Sequence, residues 1–314
     1  MPVVVPNGLP AIHTLANENI TVMSESRAKK QDIRPLRVII LNLMPTKIAT
    51  ENQLIRVLSN APLQVEVTFL QTETHESKNT PPEHLETFYK SFSEIKETCF
   101  DGLIITGAPV ETLVFEEVDY WDELCEILTW SKTHVFSSVH ICWGAQAGLY
   151  FHHGICKWPT EKKLSGIYPH EVENQGHPLT RGFDEVFLAP HSRYTEVRLD
   201  DIRDHQALEI LSLSDEAGVY LVATKDLRQV YITGHPEYDT HTLRLEYVRD
   251  REKGVGPNVP ANYFPDDNPR LLARNRWRGH AYLLFSNWLN HVYQEVPYEL
   301  EKIKELELKS VCQL

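Results

Sequence analysis

The stretch VHICWGAQAGL, residues 139–149, decides the fold because a strand-like segment meets a helix-like segment at one cysteine. The apolar residues before Cys142 are typical of a buried strand, and the glycine-spaced residues after it predict a helix. Gly144 lets the turn between them be tight. We therefore expect Cys142 to be exposed at the edge of a sheet, where the unpaired N–H groups of a helix N-terminus favour a thiolate.

The segments before this stretch alternate between strand-like and helix-like patterns. In chain order they are LRVIILNL (36–43), NQLIRVLSN (52–60), LQVEVTFL (63–70), EHLETFYKSFSEIKE (83–97), DGLIITGAP (101–109) and VDYWDELCEILTWSKT (118–133). The alternation predicts a doubly wound α/β fold, in which a mostly parallel sheet is flanked by helices. Ligands bind at the carboxyl ends of the strands in such folds, and Cys142 follows one of these ends.

The remainder of the chain has shorter strand-like pieces over 165–234 and two helical patterns near 239–253 and 277–293. No internal repeat or low-complexity linker interrupts the sequence, so we predict a single domain over 1–314. Two appendages are expected, an N-terminal segment packed on the domain (1–34) and a charged, solvent-facing helical tail (297–314).

The composition and charge exclude several classes of partner. A formal net charge of −13 gives no general attraction for nucleic acid or anionic lipid. No run approaches the roughly 18 apolar residues of a spanning helix, and the N-terminus lacks a signal-peptide pattern, so we expect a cytoplasmic protein. The five cysteines never form a C-x-x-C pair, which argues against a disulfide framework and a structural zinc site. His152 and His153 are interpreted as residues of a last helical turn that suit the helix dipole.

A candidate base lies in VYITGHPEYD, where another strand-like run ends. His235 can reach Cys142 from a neighbouring strand end, and Glu237 can accept the other ring N–H and fix the tautomer. These residues would act as base, nucleophile and orienting group. Three alternatives remain open: Cys142 as a buried filler, the second segment as a polar surface loop, and a metal cluster of His235, Glu237, Asp239 and His241.

The two motifs ICWGAQAG and GHPE, about ninety residues apart, together resemble the class I glutamine amidotransferase pattern of C-x-G-x-Q and H-P-E. Nearly all 314 residues resemble a narrower family, the homoserine O-acyltransferases, which use succinyl or acetyl donors in the first committed step to methionine. The resemblance is carried by RPLRVIILNLMPTKIATENQLIRVLSNAPLQV, TGAPVE, EKKLSG, LAPHSRYTEV, GHPEYDTHTLRLEYVRD and NWLNHVYQ. It implies L-homoserine and acyl-CoA as small-molecule substrates, and we expect no resident cofactor.

The resemblance also implies that Lys163, Ser192 and Arg249 contact the substrate. Homoserine is a small zwitterion, so its site needs a cation for the carboxylate and an anion or carbonyl for the ammonium. Arg249 offers a planar fork to the carboxylate, and Glu246, three residues earlier on the same helix face, can take the amine. The pattern alone is typical of a solvated charged face, so the role of Arg249 rests on the resemblance and that of Glu246 on its position beside Arg249.

The chemistry of the residues fits such a transfer. Attack by Cys142 exchanges one thioester for another, and the homoserine hydroxyl then forms a more stable oxygen ester. His235 would act as general base for the incoming nucleophile and, once protonated, as acid for the departing thiolate. The N–H of Trp143 would hold the oxyanion with a second amide, for which the turn at Gly107 and the helix start near Leu54 are candidates.

The acyl donor is expected to depend on Glu111, the residue that follows TGAPV. The resemblance implies glycine at this position in enzymes of the succinyl type. A succinyl group ends in a carboxylate, and two like charges about 4 Å apart at an effective dielectric near 20 repel by roughly 4 kcal/mol. We therefore expect acetyl-CoA as co-substrate, with succinyl-CoA as the alternative. A fully solvated Glu111 would repel by well under about 1 kcal/mol.

Two other classes of function stay in view. A glutamine amidotransferase or related Cys-His-Glu hydrolase would need a synthetase domain on a partner chain, because the acyltransferase pattern already occupies this one. A non-catalytic interaction protein would have no need for Cys142, His235 and Glu237 together. The oligomeric state stays open, and a homodimer is the assembly considered.

Overall fold

One sheet of twelve strands runs through the residues that the structure, a computed structural model, describes: 3–17, 22–25, 34–75 and 77–306. Its strands are β1 (Val3–Val5), β2 (Val22–Ser24), β3 (Leu36–Leu41), β4 (Val65–Leu70), β5 (Tyr89–Lys90), β6 (Phe100–Ile105), β7 (Val135–Ile141), β8 (Trp158–Val172), β9 (Val186–Glu196), β10 (Leu208–Ser214), β11 (Gly218–Thr224) and β12 (Gln229–Ile232). The α-helices are α1 (Ala11–Asn17), α2 (Lys47–Leu58), α3 (Pro82–Phe88), α4 (Phe92–Ile95), α5 (Trp121–His134), α6 (Trp143–His153), α7 (Leu199–Arg203), α8 (Thr242–Glu252) and α9 (Arg278–Glu295). Short 3-10 helices cover Phe115–Glu117, Pro178–Thr180, Pro265–Asp267 and Leu300–Lys302.

The sheet has a parallel part and an antiparallel part. Its strand order is β2-β1-β4-β3-β6-β7-β12-β11-β10-β8-β9, with β5 beside β4. The pairs from β2 to β12 are parallel, and those from β12 to β9 are antiparallel. The predicted α/β class, a mostly parallel sheet flanked by helices, is confirmed.

Strand β3 shows why the sequences of the parallel strands are continuously apolar. Val38 and Ile40 pack in a core with residues of α1, α2 and α9 on one face of the sheet. Ile39 and Leu41 pack with residues of α4 and α5 on the other face. Because successive side chains of a strand point to opposite faces, both faces demand apolar residues here.

The segment 83–97, predicted as one amphipathic helix, is instead two short helices separated by strand β5. Tyr89 is buried beside β4, and its hydroxyl donates a hydrogen bond to the carboxylate of Glu51 at 2.7 Å. Ser91 then begins α4 with a capping box that Glu94 completes. Burial of Tyr89 and the new cap interrupt a helix that periodicity alone would continue.

The antiparallel part is built around a long hairpin rather than only the shorter strands expected over 165–234. Strand β8 has 15 residues and pairs with β9 from Trp158 opposite Glu196 to Glu171 opposite Val186. Helices α8 and α9 then close the chain near their expected positions.

Both ends of the described chain contact the core. Strand β1 pairs with β4, and Leu15 of α1 is buried in the same cluster as residues of α2. Leu300 and Ile303 are also buried there, so the expected solvent-facing tail is wrong at these positions, while 307–314 lie outside the described residues. The single-domain boundary stays a prediction. No described helix has both the length and the apolar character needed to cross a membrane.

Candidate active site

Cys142 lies between the end of β7 and the start of α6, as the sequence predicted. Its backbone has φ 52° and ψ −114°, a conformation that few non-glycine residues adopt. A Cβ on Gly144 would lie 2.6 Å from the carbonyl oxygen of Thr106, so the turn requires glycine there. The expectation of an exposed thiol is wrong, because Cys142 is only 8% exposed beneath neighbouring segments.

His235 lies beside Cys142 because β12, which precedes it, is the parallel neighbour of β7. The N–H of Cys142 donates to the carbonyl of Ile232 at 2.7 Å, and the N–H of His235 donates to that of Pro190 at 2.8 Å. The His235 ring is hydrogen-bonded to the Cys142 side chain, and its Nδ1 lies 2.8 Å from Oε1 of Glu237. The three residues are therefore brought together at one edge of the sheet.

The ring of His235 carries the positive charge of this group. Burial disfavours an imidazolium, but the negative charges of Cys142 and Glu237 and the hydrogen bonds to both raise the pKa of His235 well above its usual value. The shift favours a proton on the His235 ring, as in a thiolate–imidazolium pair. Such a pair can attack a carbonyl carbon without a prior proton transfer.

Trp143 and Gly107 border the position where an oxyanion would form. Trp143 is the first residue of α6, and the N–H groups of a first helical turn have no partner within the helix. A Cβ on Gly107 would lie 3.3 Å from Cβ of Cys142 and 3.4 Å from Cε1 of His235, so this turn faces both side chains. The other candidate for the second oxyanion donor was a helix start near Leu54. This prediction is wrong, because Leu54 lies inside α2, and the turn at Gly107 is the candidate that remains.

The metal alternative had grouped the four side chains at positions 235, 237, 239 and 241. Asp239 instead forms an ion pair with Arg56, with Oδ1 and Nη1 2.6 Å apart. Within 3–17, 22–25, 34–75 and 77–306, no three histidine, cysteine, aspartate or glutamate side chains form a group suited to a metal ion.

Three of the predicted substrate residues, Ser192, Glu246 and Lys163, lie together. The Ser192 hydroxyl donates to Oε2 of Glu246, and the Tyr238 hydroxyl donates to Oε1 at 2.8 Å. Lys163 Nζ lies 3.6 Å from Oε2 of Glu246 and 2.9 Å from Oδ2 of Asp250. Burial opposes the charge of Lys163, but the two carboxylates outweigh it and raise its pKa. The cluster thus alternates positive and negative groups, as a zwitterion requires.

Arg249 makes a different contact from the one predicted. Its Nε and Nη2 donate to Oδ1 of Asp250 at 2.9 and 2.8 Å, and its side chain is 53% exposed. Its fork is therefore partly engaged by the next residue in the chain. Sequence reasoning missed both Asp250 and Tyr238. Asp250 is one charge among many in its segment, and the only signal for Tyr238 is that it follows the HPE motif directly.

Residues of β9 alternate between this cluster and the rear of the nucleophile. Ser192 contacts the cluster, whereas His191 and Arg193 are fully buried on the opposite face of the strand. The Arg193 guanidinium donates to two backbone carbonyls at 2.8 and 2.5 Å and to Nδ1 of His191 at 3.4 Å. Burial lowers the pKa of Arg193, and the charge of Cys142 is the largest influence that opposes this. Arg193, which sequence reasoning missed, is thus a buried cation near the nucleophile.

Glu111 lies in the segment that follows Gly107, and Lys157 holds that segment. Lys157 Nζ donates to the carbonyl oxygens of Glu111 at 2.6 Å and Leu113 at 2.5 Å, and it lies 4.5 Å from the ring centroid of Phe115. Burial lowers the pKa of Lys157 to about 8, although the charge of Glu111 opposes the shift. Glu111 therefore has a cation nearby, which the sequence did not indicate.

Known proteins resemble this chain in sequence and in fold. Residues 2–298 match the family model described as homoserine O-succinyltransferase. A homoserine O-acetyltransferase of Clostridium botulinum (strain Eklund 17B / Type B) is 56% identical over 306 residues, which are 97% of this chain and 100% of that protein. A homoserine O-succinyltransferase of Aliivibrio fischeri (strain MJ11) is also 56% identical over 306 residues, covering 97% and 98% of the two chains. Sequence identity therefore does not separate the two donors.

In three dimensions, the chain is similar to a glutamine amidotransferase from Thermotoga maritima. The TM-score is 0.57 at 15% identity, and the match covers 83% of this chain and 99% of that one. At this identity the likeness concerns the fold, and it agrees with the fold that the two sequence motifs implied.

Proposed function

The chain belongs to the homoserine O-succinyltransferase family, and on that premise we propose that it transfers an acyl group from acyl-CoA to the hydroxyl of L-homoserine in methionine biosynthesis. One observation carries the proposal: the buried group of Cys142, His235 and Glu237 is joined by Tyr238 to a cluster that suits a zwitterion. We also propose a cytoplasmic enzyme with no resident cofactor and no nucleic-acid or membrane partner. A homodimer is the assembly to test.

The first half-reaction uses the thiolate. Cys142 Sγ attacks the thioester carbonyl, the C–S bond to CoA breaks, and the imidazolium of His235 gives its proton to the departing CoA thiolate. The oxyanion of the tetrahedral intermediate would accept from the N–H of Trp143 and from the turn at Gly107. The products are acyl-Cys142 and CoA.

The second half-reaction reverses these roles. The neutral ring of His235 takes the proton of the homoserine hydroxyl, whose oxygen attacks the acyl-Cys142 carbonyl. The C–S bond breaks, and the ester leaves while the thiolate–imidazolium pair reforms. Glu237 holds the ring through Nδ1, and Glu246 and Lys163 would bind the ammonium and carboxylate of homoserine.

For the donor we propose acetyl-CoA, with succinyl-CoA as the alternative. Glu111 would repel the free carboxylate of a succinyl group and shorten the pocket. The charge of Lys157 lies beside the same segment, so the repulsion is weaker than that of an isolated carboxylate. In the wild type, kcat/KM should be higher for acetyl-CoA than for succinyl-CoA, and Glu111→Gly should move the ratio towards succinyl. A wild-type preference for succinyl would defeat the acetyl assignment.

The covalent mechanism is tested by intact-protein mass spectrometry with acetyl-CoA before homoserine is added. The wild type should gain one acetyl group, which homoserine removes. Cys142→Ala should gain none, whereas Cys156→Ala, at an exposed cysteine, should behave as the wild type. Cys142→Ser should lose several orders of magnitude in rate, because an alcohol is far less ionised than a thiol. An unmodified mass at saturating acetyl-CoA in a fully active enzyme would rule the mechanism out.

A further inference from the structure

A cavity of about 400 Å³ lies at the opposite edge of the sheet from the candidate active site. Val135 and Gln229, the first residues of β7 and β12, line it, whereas Cys142 and His235 follow the last residues of the same strands. At about 3.3 Å per residue, the length of β7 separates the two places by roughly 20 Å. The cavity has the size of a small-molecule site and takes no part in acyl transfer.

The charge of the cavity wall is opposite to that of the whole chain. Lys132, Lys225 and Arg228 line it together with a single acidic residue, Asp226, in a chain whose net charge is −13. Nη2 of Arg228 donates to the carbonyls of Lys132 and Val135 at 2.8 and 2.9 Å, which satisfies the carboxyl end of α5. Lys132, whose ammonium lies 5.7 Å from the ring centroid of Phe151, and the exposed Lys225 add positive charge to the wall.

His152 also lines this wall, with both of its ring nitrogens buried. Neither of its ring nitrogens has a hydrogen-bond partner among the described residues, and both are shielded from solvent. Burial, followed by the charges of His140 and Lys132, lowers the pKa of His152 to about 2, so its ring is neutral near pH 7. His152 lies in the last turn of α6, as predicted, but its neutral ring has no charge to interact with the helix dipole. The positive charge of the wall therefore comes from its lysine and arginine residues.

We propose that this cavity, the far-edge cavity, binds a small anion with a phosphate or carboxylate group, held by Lys132 and Lys225. Lysine binds such groups as a compact charge. A volume of about 400 Å³ suits a small molecule. The proposal is independent of the acyl transfer, because its residues lie outside that site.

The first experiment measures binding to the full-length wild-type protein. Sodium phosphate, sodium pyrophosphate and sodium citrate are titrated against sodium chloride of matched ionic strength, with the thermal midpoint and calorimetric heat as readouts. A saturable effect of at least one polyanion that chloride does not reproduce supports the site, and the phosphate and citrate arms distinguish the two chemistries. The absence of any saturable effect beyond that of chloride overturns the proposal.

The second experiment locates the site. Lys132→Met with Lys225→Met removes both charges, keeps the aliphatic stems, and should weaken binding about tenfold or more. Lys253→Met, at an exposed lysine outside the cavity, is the matched control and should bind as the wild type. Unchanged affinity in the double variant would overturn the assignment. If the double variant does not fold, the exposed Lys225→Met alone decides, with a loss of about threefold expected and an unchanged affinity counting against the site.

Discussion

The ring of Tyr238 stacks on the imidazole of His235, with centroids 4.0 Å apart and planes inclined by 18°. The hydroxyl of the same tyrosine donates to Oε1 of Glu246 at 2.8 Å, and the indole N–H of Trp277 donates to the Tyr238 carbonyl at 3.0 Å. One side chain therefore joins the proposed base to the carboxylate proposed to bind the homoserine ammonium. A displacement of His235 or of Glu246 would therefore change the position of the other through Tyr238.

Tyr238→Phe should impair the homoserine step more than acylation. The substitution keeps the stacked ring and removes one hydrogen bond to a carboxylate, which contributes about 1.5–3 kcal/mol. We expect kcat/KM for homoserine to fall about tenfold to a hundredfold, while the rate of CoA release in a single turnover with acetyl-CoA changes little. Tyr293→Phe, at an exposed tyrosine of α9, is the control. An equal loss in both steps would place the main role of Tyr238 in holding His235.

The two half-reactions should respond differently to pH. In the free enzyme the thiolate raises the pKa of His235, so the imidazolium persists and acylation should show no inflection near the ordinary histidine value of about 6.5. In the acyl-enzyme the charge of Cys142 is gone, the pKa of His235 falls, and the ring must be neutral to accept a proton. Deacylation by homoserine should therefore slow as the pH falls through the lowered pKa. Rapid-quench measurements of each step from pH 5.5 to 8.5 test this, and identical profiles would contradict it.

Local sequence was enough to predict the parallel sheet and the meeting of Cys142 and His235 at one edge of it. Cys142 and His235 each follow a buried strand, and the carboxyl ends of adjacent parallel strands meet at one edge. What the sequence could not show depends on contacts between distant segments. The break at Tyr89 arises from burial against β4, and the guanidinium of Arg193 is buried against the carbonyl of Ala217, 24 residues away in the chain.

The substrate cluster shows the same limit within one helix. The spacing of Glu246 and Arg249 on α8 predicted a shared face, but it could not show that Asp250 would engage the guanidinium of Arg249. It also gave no sign that Lys163, on β8, would bridge Glu246 and Asp250. A charged side chain has several possible partners within reach, and the tertiary structure determines which of them it contacts.

Buried neutral histidines should make the fold sensitive to acid. His140 is fully buried with Nε2 3.0 Å from the Ser138 hydroxyl, and burial lowers its pKa to about 3. Between pH 6.5 and about 3 the unfolded chain binds one more proton at this residue, so the free energy of unfolding drops by about 1.4 kcal/mol per pH unit as the pH falls. His140→Gln should reduce this slope by about that amount in urea unfolding at pH 7.5, 6.0 and 5.0. His13→Gln is the exposed control, and an unchanged slope in His140→Gln would contradict the assignment.

Donor selection should itself depend on pH through Lys157. Its pKa of about 8 means that the ammonium beside Glu111 loses its charge as the pH rises from 7 to 9. Glu111 then lacks a nearby cation and repels the succinyl carboxylate more strongly, whereas acetyl carries no charge. Charges about 8 Å apart at an effective dielectric near 40 interact by about 1 kcal/mol, so kcat/KM for acetyl-CoA relative to succinyl-CoA should rise roughly fivefold. The ratio cancels the titration of His235, which both donors share.

Lys157→Met should make the ratio of the two kcat/KM values independent of pH, and Lys162→Met, at an exposed lysine, should keep the rise. A constant ratio in the wild type, or the same rise in Lys157→Met, would remove Lys157 from donor selection.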